Sequence, residues 1–151
     1  MLSELLHNTV LLISASAWAI TQVIKVLVIL VHQKRLDWSF FIGSGGMPSS
    51  HTSTVCALAT AIAMSEGMGS IYFSLSAVLA VIVMYDSAGV RQSVGKHSEI
   101  LNRIVREFTF KTTRPEREKD LQEFIGHTPF QVFVGAILGV LIAWIWMIII
   151  G

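Results

Sequence analysis

The chain has 151 residues, about the length of one domain, and 53% of them are hydrophobic while only 14% are charged. An ordinary soluble domain carries about a quarter charged residues, so this composition argues against a soluble protein and indicates a membrane protein. The net charge is only +1, and a single cysteine, Cys56, excludes a disulfide framework and a cysteine-based zinc site.

The first predicted helix covers residues 9–31, an apolar run that is interrupted only by Lys25. At 1.5 Å per residue this run is about 34 Å long, which is enough to cross the hydrocarbon core of a bilayer with some tilt. A polar connector follows at residues 32–39, and the glycines of residues 43–46 form a flexible turn. A second apolar helix is expected over residues 48–65, because its first residue is a proline, which fits the first turn of a helix.

The composition changes in the second half of the chain. Residues 66–69 are expected to form a tight reversal that leads into a third apolar helix over residues 70–86. Residues 89–124 then hold eight of the eleven Lys and Arg residues. Within this basic segment, the apolar residues of positions 98–110 have the spacing of an amphipathic helix.

A last apolar helix is expected over residues 129–150, with Thr128 as its N-cap. The whole chain, residues 1–151, is therefore predicted to be one domain with an all-α fold. This domain is a polytopic membrane helical bundle with four transmembrane helices and one amphipathic interfacial helix.

The distribution of basic residues predicts the topology, because cytoplasmic loops are enriched in Lys and Arg. Lys34 and Arg35 follow the first helix, and the basic segment lies between the third and fourth helices. The turn at Glu66 has no basic residue, and neither terminus has one. We therefore expect a multi-pass protein of the cell membrane with both termini outside and both basic connectors in the cytoplasm.

Two of the polar segments on the predicted cytoplasmic face lie at helix starts. In residues 45–51, glycines allow a ligand to approach the backbone, and Ser49, Ser50 and the N–H groups of the helix start can hold a phosphate. In residues 126–129, His127 comes directly before the last helix. Both segments are candidates for binding an anion.

A third polar segment, residues 86–97, supplies Arg91, Lys96 and His97, and Lys25 is a fourth candidate. Cleavage of a phosphate ester needs positive charge for the oxygens, a nucleophile, and an acid for the leaving oxygen. Two helix N-termini, one or two cations and two histidines would provide these without a metal ion. A metal site is disfavoured because the histidines lack the spacing of a metal-binding helix and no paired-carboxylate motif accompanies them.

Each of these residues also has a simpler interpretation. The glycine-rich segment could be only a turn and a helix cap, and His127 could be an interfacial cap residue. Arg91 and Lys96 could only orient the chain and contact anionic lipid. Lys25 could extend its ammonium group to the interface, and His97 could be solvated in a charged connector.

Together, these segments resemble motifs of the type-2 phosphatidic acid phosphatase superfamily. Residues 48–51, Pro-Ser-Ser-His, resemble its Pro-Ser-Gly-His motif, and residues 127–139 resemble its third motif. The closest resemblance is to a divergent branch related to acid phosphatases and vanadium-dependent haloperoxidases. The pattern of that branch is Gly-Gly-Met-Pro-Ser-Ser-His, Asp-x-x-Gly-Val-Arg and Gly-His-Thr-Pro, which appears here at residues 45–51, 86–91 and 126–129.

The resemblance implies catalytic roles for two histidines. His127 would be the nucleophile that forms a phosphohistidine, and His51 would protonate the leaving oxygen. Ser49, Ser50 and nearby amides would hold the phosphate oxygens.

The chain departs from the superfamily at several positions. Leu121 stands where the third motif has an arginine, and Gln131 replaces the Asp that orients the nucleophile. Arg91 is the natural substitute for the missing arginine. Arg91 and His97 also have the Arg-x5-His spacing of the third motif, but we prefer His127 because its Thr-Pro and helix start match that motif.

We therefore predict a metal-independent and cofactor-free phosphatase that acts on a lipid phosphate or diphosphate at the cytoplasmic face. Lys25, Arg91 and Lys96 would join the serines in binding the substrate, and Asp86 and Gln131 would be supporting residues. The alternative is a non-catalytic membrane protein that binds anionic lipid or a partner through the basic segment. We expect contacts with anionic headgroups, a homodimer, and no nucleic-acid partner.

Overall fold

The computed structural model describes residues 6–33, 47–109 and 127–150. Its helices, with a π-helical turn at Asp86–Val90, are α1 (Thr9–Gln33), α2 (Ser50–Glu66), α3 (Ile71–Tyr85), α4 (Arg91–Thr109) and α5 (Pro129–Ile150). The described residues contain no strand, which confirms the predicted all-α fold. The observed bounds of α1, α3 and α5 agree with the predicted helices to within two residues.

The start of α2 corrects the predicted bound, because the helix begins at Ser50 rather than at Pro48. Ser49 has an extended backbone, with φ −74° and ψ 111°, and its hydroxyl accepts a hydrogen bond from the backbone N–H of Thr52. Ser49 is therefore the N-cap. A serine hydroxyl can accept a bond from the first turn of a helix, whereas the proline side chain has no acceptor.

The helices α3 and α4 are continuous through the π-helical turn, which corrects the predicted start of the amphipathic helix at Ser98. A π-helical turn inserts an extra residue into a helix without interrupting it, so the change of composition near Gly89 does not require a loop. On α4, the exposed Val94 and Leu101 share one face, and the exposed Arg103 lies on the opposite face. The predicted amphipathic character is therefore confirmed for this helix.

Helix α2 lies at the centre of the bundle and packs against α1, α3 and α5. The hydroxyl of Thr21 in α1 donates a hydrogen bond to the hydroxyl of Ser53 in α2 at 2.9 Å. Further along, Ile13 of α1 lies in the same buried cluster as Ala61 of α2. Residue numbers thus fall along α1 while they rise along α2, and the two helices are antiparallel.

Helices α2 and α5, in contrast, are parallel and closely packed. A Cβ atom added to Gly135 of α5 would lie 2.6 Å from the carbonyl oxygen of Ser49, and one added to Gly139 would clash with the carbonyl of Ser53. The two glycines form a Gly-x-x-x-Gly motif, which allows helix backbones to approach each other. In a bilayer this close contact matters because van der Waals packing, rather than the hydrophobic effect, holds helices together.

Three helical stretches in the described part of the chain are long and apolar enough to cross a membrane, namely Thr9–Val31, Ile71–Ile104 and Pro129–Ile150. Helix α2 has 17 residues and is shorter, about 25 Å long. Large apolar side chains are exposed along α1, α3 and α5, as expected for surfaces in contact with lipid. The protein is therefore an all-α membrane helical bundle, and a fourth crossing, by α2, stays a prediction.

Candidate functional site

The helix directions bring the predicted polar segments to one end of the bundle. Because α2 and α5 are parallel, their N-termini lie together, and the antiparallel α1 ends at the same side. Helix α3 follows α2 after a tight turn, in which the N–H of Ser70 donates to the carbonyl of Gly67. The chain therefore reverses direction, and the π-helical turn at the end of α3 lies on the same side as the start of α2. The π-helical turn also contacts α5. The convergence expected from the sequence is therefore present among the described residues.

Ser49 is the most constrained serine at this end, and its side chain is fully buried. Its hydroxyl lies 3.0 Å from the hydroxyl of Thr52, and its backbone carbonyl accepts the N–H of Ser53 at 3.1 Å. Its backbone N–H donates to the backbone carbonyl of Gln131 at 3.4 Å. Ser49 thus joins the start of α2 directly to the first turn of α5.

His127 is also buried, with 2% of its surface exposed, immediately before α5. Its Nδ1 atom lies 3.4 Å from the side-chain oxygen of Gln131. The same oxygen accepts the backbone N–H of Thr128 at 3.0 Å, and the hydroxyl of Thr128 accepts the backbone N–H of Gln131 at 3.3 Å. These reciprocal bonds form a capping box, which confirms Thr128 as the N-cap of α5.

Lys25 lies one helical turn beyond Thr21 on the same face of α1. Because Thr21 pairs with Ser53, the antiparallel register brings Lys25 to the level of Ser49. Only 1% of its surface is exposed, so the side chain is covered by the protein. Burying a lysine in a membrane-spanning helix is costly, and such residues usually belong to functional sites.

The two predicted site residues that follow Ser49 differ in their exposure: Ser50 is the predicted substrate-binding residue and His51 the predicted catalytic acid. Ser50 is buried and lies in the first turn of α2. His51 follows it but is exposed, because α2 turns its side chain away from the face that carries Ser49 and Ser53. The structure therefore groups His127 with the buried serines and leaves His51 at the surface of the same helix start.

The third polar segment corresponds to the π-helical turn and the start of α4. Asp86 is half-buried and its backbone N–H donates to the carbonyls of Ile82 and Val83, while the nearby Ser87 is buried. His97 is exposed on α4, which agrees with its interpretation as a solvated residue. The side chains of two predicted ligands lie outside the described part of the chain, namely Arg91 and Lys96.

Sequence reasoning did not identify the buried polar layer beneath this end. Its members are Thr21, Gln22, Thr52, Ser53 and Ser87, each at most 4% exposed. A signal was available, since Thr21 and Lys25, like Ser49 and Ser53, are four residues apart and so share one face of a helix. The pairing of these faces between helices depends on helix register, which only the tertiary structure shows.

The chemistry suited to this end is anion binding. Two parallel helices direct the positive ends of their dipoles toward one region, and a buried lysine lies at the same level. Within residues 6–33, 47–109 and 127–150, no group of three His, Cys, Asp or Glu residues could hold a metal ion. The donors that are present suit the oxygens of a phosphate.

Comparison with known proteins gives a consistent result. Residues 6–142 match the family described as the divergent PAP2 family. The chain is 40% identical over 148 residues to YuiD, an uncharacterized membrane protein of Bacillus subtilis strain 168, and the match covers 92% of this chain and 94% of the relative. No solved structure matches the chain significantly.

Proposed function

The chain belongs to the divergent PAP2 family, and on that basis we propose that it is a membrane phosphatase that hydrolyses a lipid phosphate or diphosphate through a phosphohistidine. The reaction would need no metal ion. His127 would be the nucleophile and His51 the acid, while Lys25, Ser49 and Ser50 would bind the phosphate.

The observation that carries this proposal is the joining of two helix N-termini at His127. The N–H of Ser49 is bonded to the carbonyl of Gln131, and the side-chain oxygen of the same glutamine lies beside the histidine. A phosphate near His127 would therefore meet the N-terminal dipoles of both α2 and α5. The buried ammonium group of Lys25 would balance part of the charge of a phosphate dianion.

The first chemical step would transfer the phosphoryl group to the protein. A ring nitrogen of His127 attacks phosphorus, and the bond between phosphorus and the lipid oxygen breaks. That oxygen takes a proton from protonated His51, and the leaving group is the lipid alcohol from a monophosphate or the lipid monophosphate from a diphosphate. The helix N-termini and Lys25 stabilise the negative charge on the remaining phosphoryl oxygens in the transition state.

The second step would regenerate the protein. Water attacks phosphorus, His51 accepts the proton of that water, and the bond to the His127 nitrogen breaks with its electron pair returning to the ring. Inorganic phosphate then leaves. His51 is exposed at the start of α2, so it can exchange protons with water between the two steps.

The direct test is phosphate release from phosphatidic acid by the purified full-length chain in detergent micelles containing EDTA. We expect turnover that survives the chelator, is inhibited by vanadate, and is lost in His127→Ala. His97→Ala is the matched control and should retain the wild-type rate. Full activity in His127→Ala together with none in His97→Ala would overturn the assignment of the nucleophile.

The test also separates this proposal from the non-catalytic alternative. A protein that only binds anionic lipid through the basic segment would release no phosphate from any substrate in a panel of phosphatidic acid, phosphatidylglycerophosphate and a polyprenyl diphosphate. Its binding to anionic vesicles would weaken with salt and would not depend on His51 or His127.

A further inference from the structure

A cavity of about 520 Å³ lies at the end of the bundle opposite to the candidate phosphate site. Its wall is formed by the start of α1, the second half of α2 and the start of α3. Helix α2 runs from Ser50 at the phosphate site to Glu66 at the cavity, so about 25 Å separates these two residues. The cavity is therefore a separate feature of the fold, and its volume suits a small molecule or part of a lipid.

The cavity combines an apolar wall with a polar rim. The wall includes the half-buried side chains of Val10 on α1 and of Leu58 and Ile62 on α2. The rim includes Glu66 and Tyr72, which are both exposed. A molecule that fits this cavity is an amphiphile, with a hydrocarbon chain along the wall and a polar headgroup at the rim.

The rim suits a headgroup that is positively charged and donates hydrogen bonds. Glu66 carries the only charge among the residues that line the cavity, all of which belong to the described part of the chain. The hydroxyl of Ser65, another rim residue, donates its hydrogen to the carbonyl of Ile62, so that its oxygen is left as an acceptor. The ring of Tyr72 adds an aromatic surface, which attracts a cation.

From this chemistry we propose that the cavity binds phosphatidylethanolamine, with an acyl chain along the apolar wall and the primary ammonium group at Glu66. A primary ammonium group has three N–H donors, which match a rim of acceptors. The depth also fits, because α2 is about 25 Å long and a hydrocarbon core is about 30 Å thick, so Glu66 at the end of α2 lies near the level of the headgroups. The proposal does not rest on phosphatase activity, since the cavity shares no lining residue with the candidate phosphate site.

Thermal unfolding of the purified full-length chain in detergent micelles tests this proposal, with phosphatidylethanolamine and phosphatidylcholine of the same short acyl chains as probes. Both lipids are zwitterionic, but the choline group has three methyl groups in place of the N–H donors. A ligand that binds only the folded state raises the unfolding midpoint. We expect phosphatidylethanolamine to reach half of its maximal shift at a concentration about fivefold below that of phosphatidylcholine, the size expected for one exposed charge pair.

Glu66→Gln should abolish this preference, because the amide has no negative charge, and it should leave the fold intact because Glu66 is exposed. Leu58→Trp should also abolish the preference by filling the cavity. Leu79→Trp is its matched control, since it adds the same bulk at an exposed position of α3 outside the cavity lining, and it should keep the wild-type preference. Equal shifts by the two lipids in the wild type, or an unchanged preference in Glu66→Gln, would overturn the proposal.

Discussion

The backbone N–H of Ser49 donates a hydrogen bond to the backbone carbonyl of Gln131 at 3.4 Å, which ties the N-cap of α2 to the first turn of α5. The bond is possible because Gly135, one turn further along α5, has no side chain to keep the helices apart. A residue of the first polar segment thus meets the first turn of the helix that follows the second segment, although about 80 residues separate the two in the chain. Several consequences of this arrangement can be measured.

Gly135→Ala should destabilise the bundle and reduce turnover. The added Cβ would lie 2.6 Å from the Ser49 carbonyl oxygen, so α5 must move away from α2, at a cost of about 1–3 kcal/mol. Thermal unfolding in detergent measures the loss of stability, and phosphate release measures the effect on the site. Gly69→Ala is the control, because a Cβ there meets nothing within 4 Å. Equal stability of the two variants would contradict the close helix contact.

Lys25→Met should weaken phosphate binding without weakening the fold. An apolar side chain is better tolerated than a lysine inside a membrane-spanning helix, so the unfolding midpoint should be unchanged or higher. The KM for phosphatidic acid and the inhibition constant for vanadate should both rise by about tenfold or more. Arg103→Gln, at an exposed position of α4, should leave both constants within about twofold of wild type. Unchanged constants in Lys25→Met together with raised constants in Arg103→Gln would favour the lipid-binding alternative.

Gln131→Glu should move the acidic limb of the pH–rate profile to higher pH. Glutamate can keep the capping box, but its negative charge beside Nδ1 favours the imidazolium form of His127. The nucleophile then stays protonated up to a higher pH, so a higher pH is needed before activity is observed. The rate of phosphate release between about pH 5 and 9 measures this shift. A profile that moves to lower pH would contradict the contact between the two side chains.

Thr21→Val should loosen the packing of α1 on α2. It removes the hydrogen bond from Thr21 to Ser53, which should cost about 0.5–1.5 kcal/mol, within the range for such bonds between membrane helices. Thr60→Val is a suitable control because the Thr60 hydroxyl bonds only within its own helix, to the Cys56 carbonyl, among the bonds described. A double-mutant cycle of Thr21→Val with Ser53→Ala gives the coupling energy, and a value near zero would contradict the bond.

The charge distribution predicts that the candidate site faces the cytoplasm and that both termini lie outside. A reporter enzyme that is active only outside the cytoplasm should therefore be active when it is fused after Gly151. A reporter that is active only in the cytoplasm should be inactive at the same position. The same reporter inserted near Glu66 should give the same result, because that turn is expected on the outer side. A cytoplasmic signal from the C-terminal fusion would reverse the orientation. Such a result would also favour a lipid diphosphate presented at the outer face as the substrate.

Much of the helical organisation could be predicted from local sequence signals. The bounds of α5 were predicted without error, because Thr128 and the proline after it are a standard helix start and are followed by an uninterrupted apolar run. The predicted start of α2 is two residues too early, because proline and serine both favour the first residues of a helix. Only the backbone geometry shows which residue is the N-cap and which begins the first turn. The continuity of α3 and α4 was missed because a π-helical turn has no recognisable local signal.

Hydropathy, charge and motif spacing are properties of short segments, so they suffice to predict an all-α membrane protein with phosphatase-like motifs at its helix starts. The burial of Lys25 at the level of Ser49, the exposure of His51, and the link through Gln131 from His127 to the start of α2 appear only in the folded bundle. Those relationships depend on the direction and register of neighbouring helices. Register is determined by the close contact of Gly135 with the Ser49 backbone and by the bond between Thr21 and Ser53, which pair residues that are distant in the chain.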